Sequence, residues 1–469
     1  MPRSARGGRR RCAHCLERPT RRRAGLGRGR PHGADGYRVS ADASPRPGDG
    51  AADGDDAKIR RLPWALLSAA LGSVYGNLGA VLVLYYDELG LPKTHIGLLN
   101  ALIFLPGPLA LFVAPLAARW GFKRTYLTFY STRKVVFALL AASPFVLHQT
   151  GLAGVMVFTV AVMGTFGVLR VIAETAFYPW AYEFVPRRVR GQFSAINNIV
   201  STVFGLGVVA WMGHFLSEEA DLQAYQVLVL LAASFGLLSV LVKMPIRGGE
   251  SQPESVSQRA HFSLLREALR DAPFRRFLWG LVIISLATHA WGAFIPLYLK
   301  DEVGLDAGTI VQMQTFLLIG TLVSSYAWGW LADRFSGRLV LLSGVLAMGV
   351  LPLIWVAMPR HSELGIFWAA VAAALWGGGS IGFSIGQDRQ LNVDLVPAKK
   401  KTEYMALFYT WTQIAAVVSP LLTGWGLDQV GALRTELFGF PVGPYTPFFT
   451  FSFVGIVAGA LVFWRAERA

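Results

Sequence analysis

The sequence predicts an all-α polytopic membrane protein with twelve transmembrane helices in two pseudo-symmetric six-helix bundles. Three observations carry that prediction. Of 469 residues, 53% are apolar and only 16% charged, whereas soluble globular chains carry roughly 25% charged residues. From Leu62 onward the chain resolves into apolar runs of about 20 residues, the length an α-helix needs to cross ~30 Å of hydrocarbon. Short segments also recur between the first six runs and the last six. An apolar core stops growing near ~250–300 residues, so lipid is the solvent that accommodates so many apolar side chains.

The first element is a tail. Residues 1–58 are rich in Arg, Gly, Pro and Asp and poor in β-branched and aromatic residues. Such a segment cannot bury enough surface to offset its ordering entropy and is expected to be disordered. Residues 1–61 hold 16 of the 44 Lys and Arg against 7 of the 29 acids, leaving the body far less basic. The Arg-rich runs at Arg9 and Arg21 suit contact with nucleic acid or anionic lipid. A start codon assigned too far upstream in a GC-rich frame accounts for the same composition and is the stronger reading. Both cysteines, Cys12 and Cys15, lie in this tail. CAHC is half a zinc site without a second pair, so neither a metal centre nor a disulfide framework is expected. A secretory signal is not expected either, the first apolar run starting only at Leu62.

The apolar runs follow at 62–86, 94–117, 125–147, 152–178, 191–215, 222–243, 276–299, 308–331, 338–358, 365–388, 403–427 and 445–464. One long polar interruption, 247–275, contains Gly248, Gly249 and Pro253 and separates an N-terminal bundle (59–246) from a C-terminal bundle (276–469). Within it, LLREALR at Leu264 to Arg270 has amphipathic spacing suited to the membrane surface.

Cations set the orientation, because short loops rich in Lys and Arg stay cytoplasmic. Arg119, Lys123, Arg124, Arg187, Arg188, Arg190, Arg334, Arg338 and Lys399 to Lys401 fall in alternate loops, as does the 247–275 linker. The opposite loops carry Asp87, Glu88, Glu218, Glu219, Asp301 and Glu302, with few cations. Both termini are therefore expected in the cytoplasm and the linker with them.

The halves repeat. YYDELGL from Tyr85 matches LKDEVGL from Leu299, and EFVPRRVRG from Glu183 matches DLVPAKKKT from Asp394, at offsets of 214 and 211. Parallel repeats related by an axis along the membrane normal are one transporter architecture, with the solute site near the midplane between halves.

Between the eighth and ninth runs, GWLADRFSGR (Gly329 to Arg338) resembles the signature loop of the major facilitator superfamily. APLAARWGFKR (Ala114 to Arg124) is its weaker counterpart in the first half, with Ala118 where that family has aspartate. The resemblance covers about 62–464 and implies the fold of that superfamily. It assigns closure of the cytoplasmic side to Gly329, Asp333, Arg334 and Arg338, and only in part to Arg119 and Gly121. Glu183 and Asp394 match the family's acid before the next loop, and Arg190 the arginine that follows. Positive-inside topology with tight glycine turns explains the same loops without a gating role.

Ionisable residues inside a bilayer cost ~2.5–3.5 kcal/mol on insertion scales, which makes them functional candidates. They are Arg133 and Lys134 in the third run, Arg170 and Glu174 in the fourth, His289 in the seventh, and Asp388 with Arg389 in the tenth. Arg170 and Glu174 are four residues apart and share a helix face; they form either a structural ion pair or a proton-coupling site. Arg133 and Lys134 either line the site or snorkel to the cytoplasm. His289 either shuttles protons or packs as a hydrogen-bonded histidine. Polar and aromatic residues, among them Asn77, Asn197, Trp376, Tyr409, Trp411 and Gln413, suit a hydroxylated, sugar-like solute, and equally suit interhelical contact.

These observations predict a proton-coupled symporter working by alternating access, without cofactor, metal or nucleic acid, with no Walker sequence for direct use of ATP. Its partners are a small solute, protons and the bilayer; a monomer in a bacterial plasma membrane is expected. A polytopic enzyme, a non-transporting sensor and a lipid flippase are the alternatives, and no compact catalytic constellation favours the first.

Overall fold

The computed structural model describes residues 55–218, 220–250, 269–395, 401–431, 435–437 and 440–465. The tail up to 54 with its CAHC sequence, residues 251–268 with most of the Leu264 to Arg270 stretch, Glu219, and 396–400 lie outside the described residues.

In chain order the first half contains α1 (Asp55–Ile59), α2 (Leu62–Gly76), α3 (Gly79–Glu88), α4 (Lys93–Phe104), α5 (Ala110–Trp120), α6 (Phe122–Ala138), α7 (Ser143–Phe184), α8 (Arg190–Glu218) and α9 (Leu222–Lys243). The second half contains α10 (Ala272–Thr288), α11 (Trp291–Tyr298), α12 (Ala307–Arg334), α13 (Gly337–Gly349), α14 (Leu351–Ala357), α15 (Glu363–Arg389), α16 (Lys401–Val430) and α17 (Thr446–Arg465). A two-stranded antiparallel hairpin, Thr435–Leu437 with Phe440–Val442, is inserted before α17. The chain folds as an all-α polytopic membrane protein, the small hairpin apart.

Nine helical stretches among the described residues are long and apolar enough to cross a membrane. One of them, Phe122–Phe184, is 63 residues long, well beyond the ~17–25 residues of a single crossing. It turns at Gly151, whose φ of 70° favours a residue without Cβ. α4 with α5, and α16, stand outside this set of nine.

Several runs that read as continuous are broken helices. α2 stops at Gly76 and α3 restarts at Gly79, since Gly76, Asn77 and Gly79 together weaken helix propagation. A 3₁₀ turn over Gly107–Leu109 separates α4 from α5 where Pro106 and Pro108 remove backbone donors. α10 and α11 part at His289 and Ala290, and α13 and α14 at Val350. Side-chain oxygens cap the starts elsewhere: Asp221 accepts from Ala224 N at 2.8 Å and Asp306 from Thr309 N at 2.8 Å.

The repeated DELGL and DEVGL segments take the same form. Gly90 (φ 75°) and Gly304 (φ 82°) both occupy the left-handed region just after a helix end, the usual place for a helix-terminating glycine.

Within the first half α2 packs on α8 and α9, and α6 and α4 on α7; within the second, α12 and α13 pack on α15, and α10 on α16 and α17. The halves meet where α4 lies along α16, α8 along α12, and α3 along α11. At the Asp87 end of this seam Lys300 pairs with Asp87 at 2.7 Å, and Lys93 with Asp301 at 2.7 Å and Asp87 at 3.3 Å. Asp428 accepts from Lys93 N at 3.0 Å and Thr94 N at 2.7 Å. Gly97, Gly308 and Gly424 allow backbones of the two halves to touch there.

Candidate functional site

α6 and α7 bring two arginines onto one acid. Glu174 lies ten residues before the end of α7 at Phe184, roughly 15 Å at 1.5 Å per residue, half the hydrocarbon thickness. One helical turn earlier, Arg170 donates from Nε to Glu174 Oε1 at 2.8 Å. Arg133 of α6 donates from Nη1 to the same oxygen at 3.4 Å. The side chains of Arg133, Arg170 and Glu174 are 7%, 24% and 44% exposed, so the acid faces outward from the pair of arginines.

Aromatic rings fill in where acceptors are missing. Arg133 lies over Tyr130, its Cζ 4.1 Å from the ring centre, and the Lys134 ammonium sits 2.9 Å from the centre of Tyr75. A ring face attracts a cation but accepts no conventional hydrogen bond. Lys134 Nζ and Arg133 Nε are buried with no hydrogen-bond partner among the described residues. Snorkelling of Arg133 and Lys134 is thus not what the structure shows: both are buried, at 6% and 0% exposure. The tyrosines of α2 and α6 hold them inside.

Arg170 also reaches the seam between halves. Its Nη1 donates to Ile103 O at 3.2 Å, and its Cζ lies 5.1 Å from the Phe104 ring, which meets His289 edge-on at 6.2 Å. His289 Nδ1 is 2.9 Å from Ser285 O in its own helix. The structure therefore brings Arg133, Arg170 and Glu174 together and places His289 behind one intervening ring.

The other candidates lie apart. Asn77 sits at the α2–α3 break, donating to Ser73 O at 2.8 Å. There Gln314 of the second half, with its amide oriented to satisfy both groups, donates to Asn77 O at 2.8 Å and accepts from Ala80 N at 3.2 Å. Trp376 belongs to an aromatic core, edge-on to Trp291 at 5.8 Å and Trp355 at 6.3 Å, beside a cavity of about 150 Å³. Trp411 packs on Trp279 at 5.4 Å, Gln413 against Gly107, and Asn197 is half-buried on α8. Tyr409 and Asp388 are exposed, and Asp388 has no polar partner among the described residues.

At the opposite end from Asp87 the signature-loop residues are largely unengaged. Asp333 and Arg119 are exposed and make no ion pair with a described residue. Arg334 lies over Trp330 at 4.6 Å, while Arg338 donates to Trp464 O. Gly121 turns the first-half loop at φ 93°, and Gly329 lies in the last turns of α12. Glu183 accepts from Gly249 N at 2.6 Å, and Arg190 donates to Val185 O at 3.1 Å and Tyr182 O at 2.5 Å, binding the end of α7. The side chain of Asp394 lies outside the described residues.

The sequence model of the Major Facilitator Superfamily matches residues 64–390 and 313–469. The chain belongs to this superfamily. Solved structures that share the fold include the nucleoside transporter NupG (TM-score 0.65, 12% identity, 87% of this chain and 99% of that one). A bacterial homologue of the iron transporter ferroportin, in an inward-facing state, follows at TM-score 0.64 and 14% identity over 88% and 99%. A variant of the E. coli fucose:proton symporter FucP reaches 0.53 at 16% identity over 87% and 98%. At these identities the likeness concerns fold alone. A Na(+), Li(+), K(+)/H(+) antiporter of Planococcus maritimus is 26% identical over 137 residues, which is 27% of this chain and 30% of the antiporter. The match thus spans under a third of that protein.

Three features of this superfamily member escaped the sequence reading. They are the seat of the Lys134 ammonium on the Tyr75 ring, the burial of Lys243 near the end of α9, and the contact of Gln314 with the α2–α3 break. Lys243 is 9% exposed, donates to Tyr126 OH at 3.1 Å and lies 4.7 Å from the Phe177 ring centre. Only helix packing brings those rings to the amines.

Proposed function

We propose that this chain is a proton-coupled secondary transporter of a small, hydroxylated organic solute, and that it performs no covalent chemistry. It crosses the membrane twelve times, as bundles at 59–246 and 276–469 joined by a cytoplasmic linker at 247–275. It sits as a monomer in a bacterial plasma membrane with both termini inside. The observation that carries the reading is the convergence of Arg133 and Arg170 on one oxygen of Glu174, ten residues before the end of α7 and beside the seam where the halves meet.

With the Asp87 end external, the latch of Lys93, Lys300, Asp301 and Asp428 closes the outside, while Asp333 and Arg119 make no ion pair with a described residue at the cytoplasmic end. The state described is then one that faces inward. A solute that draws the two guanidinium groups away leaves Glu174 without its counter-charges, and a proton takes their place. That reciprocal dependence of proton and solute is the linkage a coupled carrier needs. Exchange against protons is the second reading, favoured by the stretch of likeness to the antiporter.

Reconstituted protein, given labelled hydroxylated solutes and a pH gradient of either direction, separates these readings. Symport accumulates solute from the acidic side and antiport toward it. Movement that ignores the gradient contradicts proton coupling, and a chemically altered solute contradicts a carrier.

A further inference from the structure

We infer that the solute carries a negative charge, a carboxylate or phosphoryl group, received by Arg133 and Arg170 in place of Glu174. The inference deepens the proposed function and rests on its placing of the solute at that seam.

The charge balance of the site is lopsided. Arg133 and Arg170 converge on a single acid, both guanidinium groups directing a donor to the same oxygen, and Lys134 follows Arg133 on α6 with its ammonium over Tyr75. Lys134 Nζ and Arg133 Nε, on residues 0% and 6% exposed, have no hydrogen-bond acceptor among the described residues. Charges withdrawn from water are held by opposite charge and hydrogen bonds, and an incompletely neutralised cluster keeps an attraction for a further anion. Tyrosine and phenylalanine rings crowd the cations without adding an acceptor: Tyr75 and Tyr130 face Lys134, Tyr130 and Phe166 face Arg133, and Phe104 faces Arg170.

Access is graded in the order that such an exchange needs. Glu174 is the most open of the three partners, then Arg170, then Arg133. An entering anion meets Arg170 first and gains Arg133 as the carboxylate of Glu174 swings out. Guanidinium groups suit this role because their planar donors match carboxylate and phosphate geometry. Glu174 thus occupies the solute's place when the site is empty. The same surplus repels alkali and divalent cations. Among the described residues, no group of three or more His, Cys, Asp and Glu is arranged to hold a metal ion.

The test uses full-length protein in detergent, with its thermal unfolding midpoint followed at constant pH and ionic strength. Inorganic phosphate and malonate are the probes, with chloride as the salt baseline and malonamide as the uncharged analogue. Wild type should be stabilised saturably by phosphate, malonate or both, and not by malonamide. Arg170→Gln should abolish the shift. Glu174→Gln should tighten the same anion about tenfold, because the competing carboxylate is gone; a merely structural ion pair predicts no tightening. Arg170→Lys, which keeps charge but loses the fork, should restore part of the shift. The inference is overturned if neither anion exceeds chloride, if malonamide matches malonate, or if Arg170→Gln keeps the wild-type response. Failure of the carrier reading looks different: the anion shift and its dependence on Arg170 persist, while reconstituted protein moves no solute.

Discussion

The two halves of the chain share a repeated frame and both bury aromatic rings, but among the described residues the buried Lys and Arg belong to the first half. The first half encloses Arg133, Lys134 and Lys243. The second encloses an aromatic assembly in which Trp291 meets Trp355 at 4.8 Å and donates from Nε1 to Ser452 Oγ at 3.1 Å. Tyr298 in the same assembly meets Phe449 at 4.9 Å and donates to Trp355 O at 2.6 Å. The buried acid of the second half, Glu302, lies at the rim and is matched by Arg360 at 2.6 Å. Edge-on ring pairs contribute ~0.5–1.5 kcal/mol each beyond their area and resist deformation. The difference teaches that a duplicated frame need not duplicate chemistry: the same helical plan buries cations in one half and, in the other, rings with a single paired acid at the rim.

The comparison breaks most readily at its charged centre. Arg170→Ala should lower both exchange and gradient-driven uptake roughly 10- to 100-fold, the scale of a charged hydrogen bond worth ~1.5–3 kcal/mol. Asp388→Asn, an equivalent removal of charge from the second half, should stay within about threefold of wild type. Comparable losses from the two, measured as initial rates in proteoliposomes, would end the asymmetry.

The next effect concerns the seam. A Cβ at Gly424 meets Lys93 O at 2.5 Å, and one at Gly97 meets Pro420 O. Neither backbone can yield without the halves parting. Gly97→Ala and Gly424→Ala should therefore open the Asp87 end, raising the thiol reactivity of a cysteine at Glu88 several-fold in a background free of Cys12 and Cys15. Unchanged labelling would mean that the close approach is not what seals that end.

A smaller contrast separates the two signature loops. Asp333→Ala should favour the state open at the cytoplasmic end more than Arg119→Ala does, since Ala118 already removes the first loop's acid. Labelling of cysteines placed in each vestibule reports the populations, and equal shifts would sink the asymmetry. Least of all, deleting residues 2–52 should leave insertion and uptake unchanged, because that composition lacks any apolar run; lost uptake by correctly inserted protein would show a function for the tail.

Much of this frame was legible along the chain. Period and length of the apolar runs located the helices, and the DELGL and DEVGL copies ended theirs at left-handed Gly90 and Gly304. The interruption between α4 and α5 has a local cause in Pro106 and Pro108, although 94–117 reads as one apolar run. The α2–α3 break did not announce itself, because Gly76, Asn77 and Gly79 sit within an apolar run, and apolarity measures lipid compatibility rather than helix continuity. The Arg170–Glu174 contact follows from four-residue spacing, whereas Arg133 reaches Glu174 across 41 positions. Whether Arg133 and Lys134 turn inward depends on Tyr75 and Tyr130 meeting them from packed helices, which no local pattern records.

The central claim is that Glu174 couples protons to the solute. It is tested most directly by comparing counterflow exchange with pH-gradient-driven accumulation for Glu174→Gln in proteoliposomes. The account predicts that exchange persists near the wild-type rate while accumulation collapses to equilibration. Accumulation against a gradient at wild-type rates would contradict it, leaving Glu174 a structural partner of its two arginines and moving the search for the coupling group to His289 or Asp388.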